Sequence, residues 1–173
     1  MSEDFEHRVP LNQIRDGARI DLIAEEAERR AVAARLGLPA IARLEAHATL
    51  ARAGDTVRAQ GRVKAALTQN CVATGAAIAA HVDEPFEIMF VPAPRPGAEE
   101  EVELAAEECD TVFHDGAAIQ LGSAIADTLA LALDPYPRSA GADAALKEAG
   151  VLSEGEAGPF AALAQLKKGM AEE

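Results

Sequence analysis

Apolar and polar side chains alternate through the middle of the chain, from residue 44 to residue 67. The even-numbered positions 44–50 are Leu or Ala, and the odd-numbered positions 43–49 are polar. After Ala53-Gly54-Asp55 the alternation resumes, with apolar residues or Gly at the odd-numbered positions 57–67. Because successive side chains of a β-strand point to opposite faces, this pattern predicts a long antiparallel hairpin with one buried face.

A third extended segment follows the hairpin. The even-numbered positions 78–90 are apolar, except that Glu84 interrupts them. Pro85 lacks a backbone N–H, and this indicates an edge position or a bulge. Shorter extended segments are predicted at residues 1–20, 111–113 and 118–120.

Helical spacing of apolar residues recurs on either side of the predicted sheet. A helix is predicted over residues 22–36, with Asp21 as its N-cap. A second helix is predicted over residues 121–133, where Pro135 prevents its continuation. A short final helix is predicted to begin at Pro159.

These elements together predict an α+β fold, in which two or three helices cover an antiparallel sheet built on the long hairpin. The pattern leaves open whether the sheet closes into a partial barrel. We expect a core domain over residues 1–137, with an acidic loop at about 92–109. Residues 138–173 are predicted to form a helical, partly flexible C-terminal tail.

The two halves of the chain differ strongly in charge. Residues 1–80 contain 11 basic and 10 acidic side chains, whereas residues 81–173 contain 5 and 19. Nucleic-acid binding without sequence preference depends on positive charge, because the protein must neutralise phosphates. Any RNA contact is therefore expected in the first half, and the acidic second half suits a basic protein partner.

The sequence contains no motif typical of catalysis or cofactor binding. The cysteines and histidines lack metal-ligand spacing, and glycine-rich phosphate loops are absent, so we expect no metal, no cofactor and no enzymatic activity. Cys71 is either a small buried side chain or, less simply, a nucleophile. The charged N-terminus and the absence of a long apolar stretch predict a cytoplasmic protein without membrane contact.

The polar face of the predicted hairpin is the best candidate for a binding surface. Arg58, Arg62 and Lys64 share one parity, and Arg43 lies on the outward parity of the neighbouring strand. A solvated sheet face would produce the same pattern, so contact with phosphates is one of two interpretations. No Phe or Tyr interleaves with these basic residues, and stacking of unpaired bases is therefore not expected.

Several segments resemble the YceD family, which is associated with accumulation of large-subunit ribosomal RNA. One is the basic strand that ends in a cysteine, and the others include an extended segment before an acidic loop, the start of the second helix and its end. The last segment resembles alphaproteobacterial members. The segments are residues 61–71, 84–92, 115–122, 131–138 and 159–167.

The resemblance implies a non-enzymatic role in ribosome assembly, with large-subunit rRNA, a pre-ribosomal particle or a basic ribosomal protein as the partner. On this view Arg43, Arg58, Arg62 and Lys64 contact rRNA, and Arg138 assists them. Many members have Cys-x-x-Cys where this chain has Cys71 and then Thr74, so only the first cysteine of that motif is retained. The alternative is an acidic protein–protein adaptor that makes no RNA contact, and an enzyme using Cys71 is a third hypothesis.

Overall fold

The computed structural model describes residues 5–94 and 110–151. Its regular elements are listed here in chain order, together with a 3-10 turn at Leu11–Gln13. They are β1 (Arg8–Pro10), β2 (Ala18–Ile23), α1 (Glu26–Arg35), β3 (Ala40–Ala53), β4 (Thr56–Asn70), β5 (Ala77–Pro92), β6 (Asp110–His114), β7 (Ala118–Gln120), α2 (Leu121–Ala132) and α3 (Ala142–Glu148).

The described strands form one large sheet and one small one. Five strands pair in the order β2-β3-β4-β5-β6, and β1 pairs with β7 in a separate antiparallel ribbon. The expected α+β fold is confirmed, since helices accompany a sheet built on the β3–β4 hairpin. The last pair, β5 with β6, is parallel, so the sheet is mixed. The described strands do not close into a barrel, because β2 and β6 remain at opposite edges.

The β3–β4 hairpin supplies much of the buried core. Leu50, Val57, Ala59 and Val63 have no exposed surface, as the period-two pattern predicts. The opposite faces of both strands are mainly exposed. The turn contains Gly54 at φ +62°, a left-handed conformation that costs little only for glycine. The hairpin therefore presents one apolar face to the core and one polar face to solvent.

Helix α1 begins later than the sequence suggests. The predicted helix of residues 22–36 overlaps β2, which continues to Ile23 and pairs with β3. Asp21 is therefore a strand residue opposite His47, and it does not cap the helix. Glu25 occupies the N-cap position and forms a capping box with Glu28. Backbone pairing with β3 outweighs the helical spacing of the side chains in this segment.

The later elements agree with the sequence pattern more closely. Helix α2 begins at Leu121, as expected, and buries Leu121, Ile125 and Leu129 completely. The two predicted extended segments are present as β6 and β7, although they join different sheets. Helix α3 lies within residues 138–173, which were predicted to be a helical tail, although no helix was assigned to residues 142–148 specifically. Of the acidic loop predicted at about 92–109, residues 95–109 lie outside the described residues, and so does the predicted helix from Pro159.

The chain divides into two compact units. The main unit consists of residues 1–69 and 79–135, and the second unit consists of residues 70–78 and 136–173. The continuous hydrophobic core belongs to the main unit. Among the described helices, none combines the length and the apolar character that a membrane span requires.

Candidate nucleic-acid interface

The predicted basic residues of the hairpin lie together on the polar side of the large sheet, which we call the outer face. The β3–β4 register places His47 opposite Arg62 and Glu45 opposite Lys64. Arg43 lies on the same face beyond a register shift between Ile41 and Arg43. The side chains on the outer face include those of Asp21, Ile23, Arg43, Glu45, His47, Arg58, Arg62, Lys64, Asp83, Glu87, Met89, Val91 and Phe113.

Carboxylates neutralise much of this predicted basic surface. Asp83 on β5 pairs with both Arg62, which donates a hydrogen bond through Nε, and Lys64, whose Nζ lies 3.8 Å from Oδ2. Arg58 Nη1 lies 3.3 Å from Glu87 Oε1. These pairs also show that β4 and β5 run in opposite directions.

Arg43 has a counter-ion on its own strand. Its Nη2 donates a hydrogen bond of 2.7 Å to Glu45 Oε2, and its Nε donates one of 3.0 Å to the same oxygen. All four predicted RNA-contacting residues of the hairpin therefore carry acidic partners. The sequence alone did not indicate the pairing of Arg58, Arg62 and Lys64, because their carboxylate partners on β5 come from a different part of the chain.

Asp83 is the electrostatic centre of this arrangement. The hydrogen bond from Arg62 is the main cause of a lowered pKa for the Asp83 carboxyl group, and the charges of Arg62, Lys64 and His47 lower it further. Asp83 is thus ionised at neutral pH. Two cations share this one carboxylate, so the cluster of Arg62, Lys64 and Asp83 retains one net positive charge.

A surface depression of about 360 Å³ lies next to this cluster. Strands β2, β3 and β4 form it, and its lining combines charged, aromatic and aliphatic groups. The side chain of Ile23 is 74% exposed and contributes aliphatic surface to this lining. The lining residues are Asp21, Leu22, Ile23, Glu45, Ala46, His47, Arg62 and Lys64.

The opposite end of the outer face is apolar. The parallel pairing of β5 and β6 places Val91 beside Phe113 and Met89 beside Thr111. Phe113 is 58% exposed. No Phe or Tyr interleaves with the basic residues of β3 and β4, but β6 brings Phe113 to the apolar end of the same face. Phe113 lies beside Val91, and Val91 is on the opposite side of the sheet from the buried Phe90. The face on which Phe113 lies therefore becomes clear only when the β5–β6 register is known.

Arg138 belongs to the second unit, and its Nη2 lies 3.2 Å from Asp143 Oδ1. It is thus engaged in an ion pair of its own. Its predicted participation in RNA contact stays a prediction.

Cys71 also belongs to the second unit and is only 2% exposed. The Ser139 hydroxyl lies 3.5 Å and the Ser139 backbone nitrogen 3.3 Å from its sulfur, and both donate to it. These two donors, with help from the Thr74 hydroxyl, lower the pKa of Cys71 to about 6. The thiolate is stabilised but enclosed, and enclosure favours a structural role over attack on a substrate.

Metal binding receives no support from the described ranges. Within residues 5–94 and 110–151, no three His, Cys, Asp or Glu side chains approach closely enough to hold an ion. The buried His114 is instead held by main-chain groups. Gly116 N–H donates to its Nδ1 at 3.0 Å, so Nε2 carries the proton and donates to the Asp55 carbonyl oxygen at 2.7 Å.

The fold and the site together define an α+β protein with a polar sheet face on which basic and acidic side chains are paired. The family model described as large ribosomal RNA subunit accumulation protein YceD matches residues 59–167. This match covers more than half of the chain, and the chain belongs to the YceD family. The resemblance inferred from the residues is thereby confirmed. Among curated proteins and solved structures, no significant match was found.

Proposed function

We propose that this YceD family protein is a non-enzymatic cytoplasmic factor that supports large-subunit rRNA accumulation by binding rRNA through the outer face. The observation that carries the proposal is the convergence of Arg58, Arg62 and Lys64 on one exposed sheet face, next to a depression that also contains His47. The family description supplies the ribosomal context. The binding partner in the cell would be large-subunit rRNA, either free or within a pre-ribosomal particle.

Binding on this face is an exchange of partners. A phosphate oxygen accepts hydrogen bonds from a guanidinium group as a carboxylate does, so RNA phosphates replace Asp83 and Glu87 as partners of Arg62 and Arg58. The displaced carboxylates oppose this exchange by repulsion. We therefore expect moderate affinity and a clear dependence on salt, because each phosphate contact releases counterions from the RNA.

A non-enzymatic role agrees with the chemistry of the described residues. Cys71 is the most strongly perturbed nucleophile among them, and its sulfur is enclosed by Ser139 and Thr74. Catalysis by this thiol requires access for a substrate, and access would require the turn around it to open.

Sedimentation of the tagged protein from cell lysate tests the proposal. The protein should migrate with large-subunit precursors, and ribonuclease or raised salt should release it. Replacing Arg58, Arg62 and Lys64 with Glu should abolish this migration. Because new like-charge pairs with Asp83 and Glu87 weaken the sheet, a second variant with Gln at the same three positions separates loss of binding from loss of folding.

A matched control reverses three exposed basic side chains elsewhere, with the changes Arg15→Glu, Arg30→Glu and Lys147→Glu. This control carries the same change in net charge and should still migrate with the precursors. Equal loss in both sets would mean that total charge matters and the outer face does not. Unchanged migration of the outer-face variants would refute the proposed surface.

An acidic adaptor without RNA contact is the second candidate, and the ion pairing of the outer face favours it. With Arg43, Arg58, Arg62 and Lys64 all paired, less positive charge is available than the sequence suggests. The acidic residues 99–108 would then bind a basic ribosomal protein. Association that survives ribonuclease and disappears when these glutamates are replaced by Gln would establish the adaptor.

A further inference from the structure

Exposed apolar side chains lie at opposite ends of the outer face. At one end, the aromatic ring of Phe113 is 58% exposed beside Val91. At the other, the depression next to Asp83 contains the exposed Ile23 and the imidazole of His47. Asp83 and Val91 are eight residues apart on β5, so the two features are separated by about 26 Å along the strand. Arg58 and Glu87 form an ion pair between them.

Charge alone cannot hold RNA strongly on this face. The outer-face cations of the hairpin, which are Arg43, Arg58, Arg62 and Lys64, already have carboxylate partners, so phosphate contacts bring only part of their usual gain. Recognition of an RNA duplex depends mainly on phosphate and 2′-hydroxyl contacts with its shape. A face with few unpaired cations is poorly suited to that mode, and another source of binding energy is needed.

Exposed aromatic and aliphatic side chains provide additional binding energy when the bases of the RNA are unpaired. Bases of a single strand stack on aromatic side chains, while basic groups follow the backbone. Phe113 offers such a platform at one end. The depression of about 360 Å³ lies within the size range of small-molecule pockets, where Ile23 and His47 offer a wall for a base and Arg62 and Lys64 reach a phosphate.

We propose that the outer face binds a short unpaired segment of RNA, with one base stacked on Phe113 and another in the depression beside His47. The inference rests on the proposed rRNA contact and adds to it the class of RNA, which is single-stranded. The strand follows the line from the depression past Arg58 to Phe113. Binding of the same surface to a protein is the competing outcome of the test.

The experiment compares a fluorescently labelled single-stranded oligoribonucleotide of about ten nucleotides, within the site sizes of single-strand binders, with a duplex of the same length. Fluorescence anisotropy gives the dissociation constant of each for the full-length protein. We expect tighter binding of the single strand. Phe113→Ala should weaken it roughly 5- to 150-fold, since stacking of one base contributes about that factor. Phe113→Tyr should restore binding, because the ring is retained.

A matched control replaces Leu131, which is 78% exposed on α2, with Ala. This variant removes exposed apolar surface away from the sheet and should bind the single strand as the native protein does. The thermal midpoint of each variant, measured by circular dichroism, shows that the fold persists.

Two results would overturn the inference in distinguishable ways. In the first, duplex and single strand bind equally, Phe113→Ala changes neither, and binding is lost when Arg58, Arg62 and Lys64 become Gln. This result would retain the proposed rRNA contact and refute base stacking on Phe113. Failure of both RNAs to bind would remove the rRNA contact itself, and with it this inference, and would leave a protein partner for the outer face.

Discussion

Replacing Gly61 with Ala is expected to be one of the most damaging small changes in this protein. Gly61 lies in β4 opposite Ala48 of β3, and a Cβ atom added to it would be 1.9 Å from the carbonyl oxygen of His47. Real Cβ atoms do not approach other atoms closer than 3.0 Å, so the two backbones must separate by at least about 1 Å. The obstacle is main chain, and no side-chain rotation removes it.

The cost follows from the hydrogen bonds that such a separation disrupts. Interstrand N–H···O bonds are effective only to roughly 3.2 Å, so a displacement of about 1 Å breaks the bonds around Gly61. Each buried group left unsatisfied costs about 1–3 kcal/mol. We therefore expect the free energy of unfolding to fall by about 3 kcal/mol, which corresponds to roughly 6–12 °C in the thermal midpoint of a chain of this size.

Urea unfolding followed by circular dichroism measures this change, since the chain has no Trp for fluorescence. The matched control is Gly141→Ala, because Gly141 has a negative φ and open space where the Cβ would lie. This control should remain within about 0.5 kcal/mol of the native protein. An unfolding free energy of Gly61→Ala equally close to the native value would show that β3 and β4 do not approach as closely as described.

Two further predictions concern ionisable groups. Asp83→Asn frees Arg62 and Lys64 from their shared carboxylate, so RNA affinity should rise. The slope of log Kd against log[salt], measured by filter binding, should increase by about the amount that one phosphate contact contributes. Asp127→Asn, with the same change in charge, should have little effect, and an equal effect would contradict the prediction. Because the pKa of Cys71 is lowered to about 6, ionisation of this thiol stabilises the folded protein. This contribution to the free energy of unfolding is fully present above the ordinary thiol pKa and is lost as the pH falls through 6. In a Cys109→Ser background, thiolate absorbance should show this midpoint, and Ser139→Ala should raise it; a midpoint at the ordinary thiol pKa would refute the assignment.

The sequence predicted the parts of the fold that depend on local pattern. The alternation over residues 44–67 identified the hairpin and its buried face, and the spacing from Leu121 identified α2. It failed where long-range pairing decided the outcome. Residues Leu22 and Ile23 have helical spacing with α1, but they hydrogen-bond with β3, and no local signal shows that preference.

The candidate site shows the same division. The basic residues of β4 and their common face followed from parity alone. Their neutralisation by Asp83 and Glu87 did not, because it depends on the register between β4 and β5. Phe113 was missed for a similar reason, since β6 reaches the sheet through a parallel pairing after a long intervening segment. Parity assigns side chains to one of two faces, whereas the neighbours across strands require the tertiary structure.

On the side of β5 that faces away from β4, pairing within residues 5–94 and 110–151 covers Ile88–Pro92. The exposed residues Asp83, Glu84 and Pro85 precede that stretch. A proline cannot donate a hydrogen bond to an incoming strand, and adjacent carboxylates repel one. These three residues therefore discourage edge-to-edge aggregation. For the proposed role in rRNA accumulation, such a sheet edge would keep the protein from recruiting other strands.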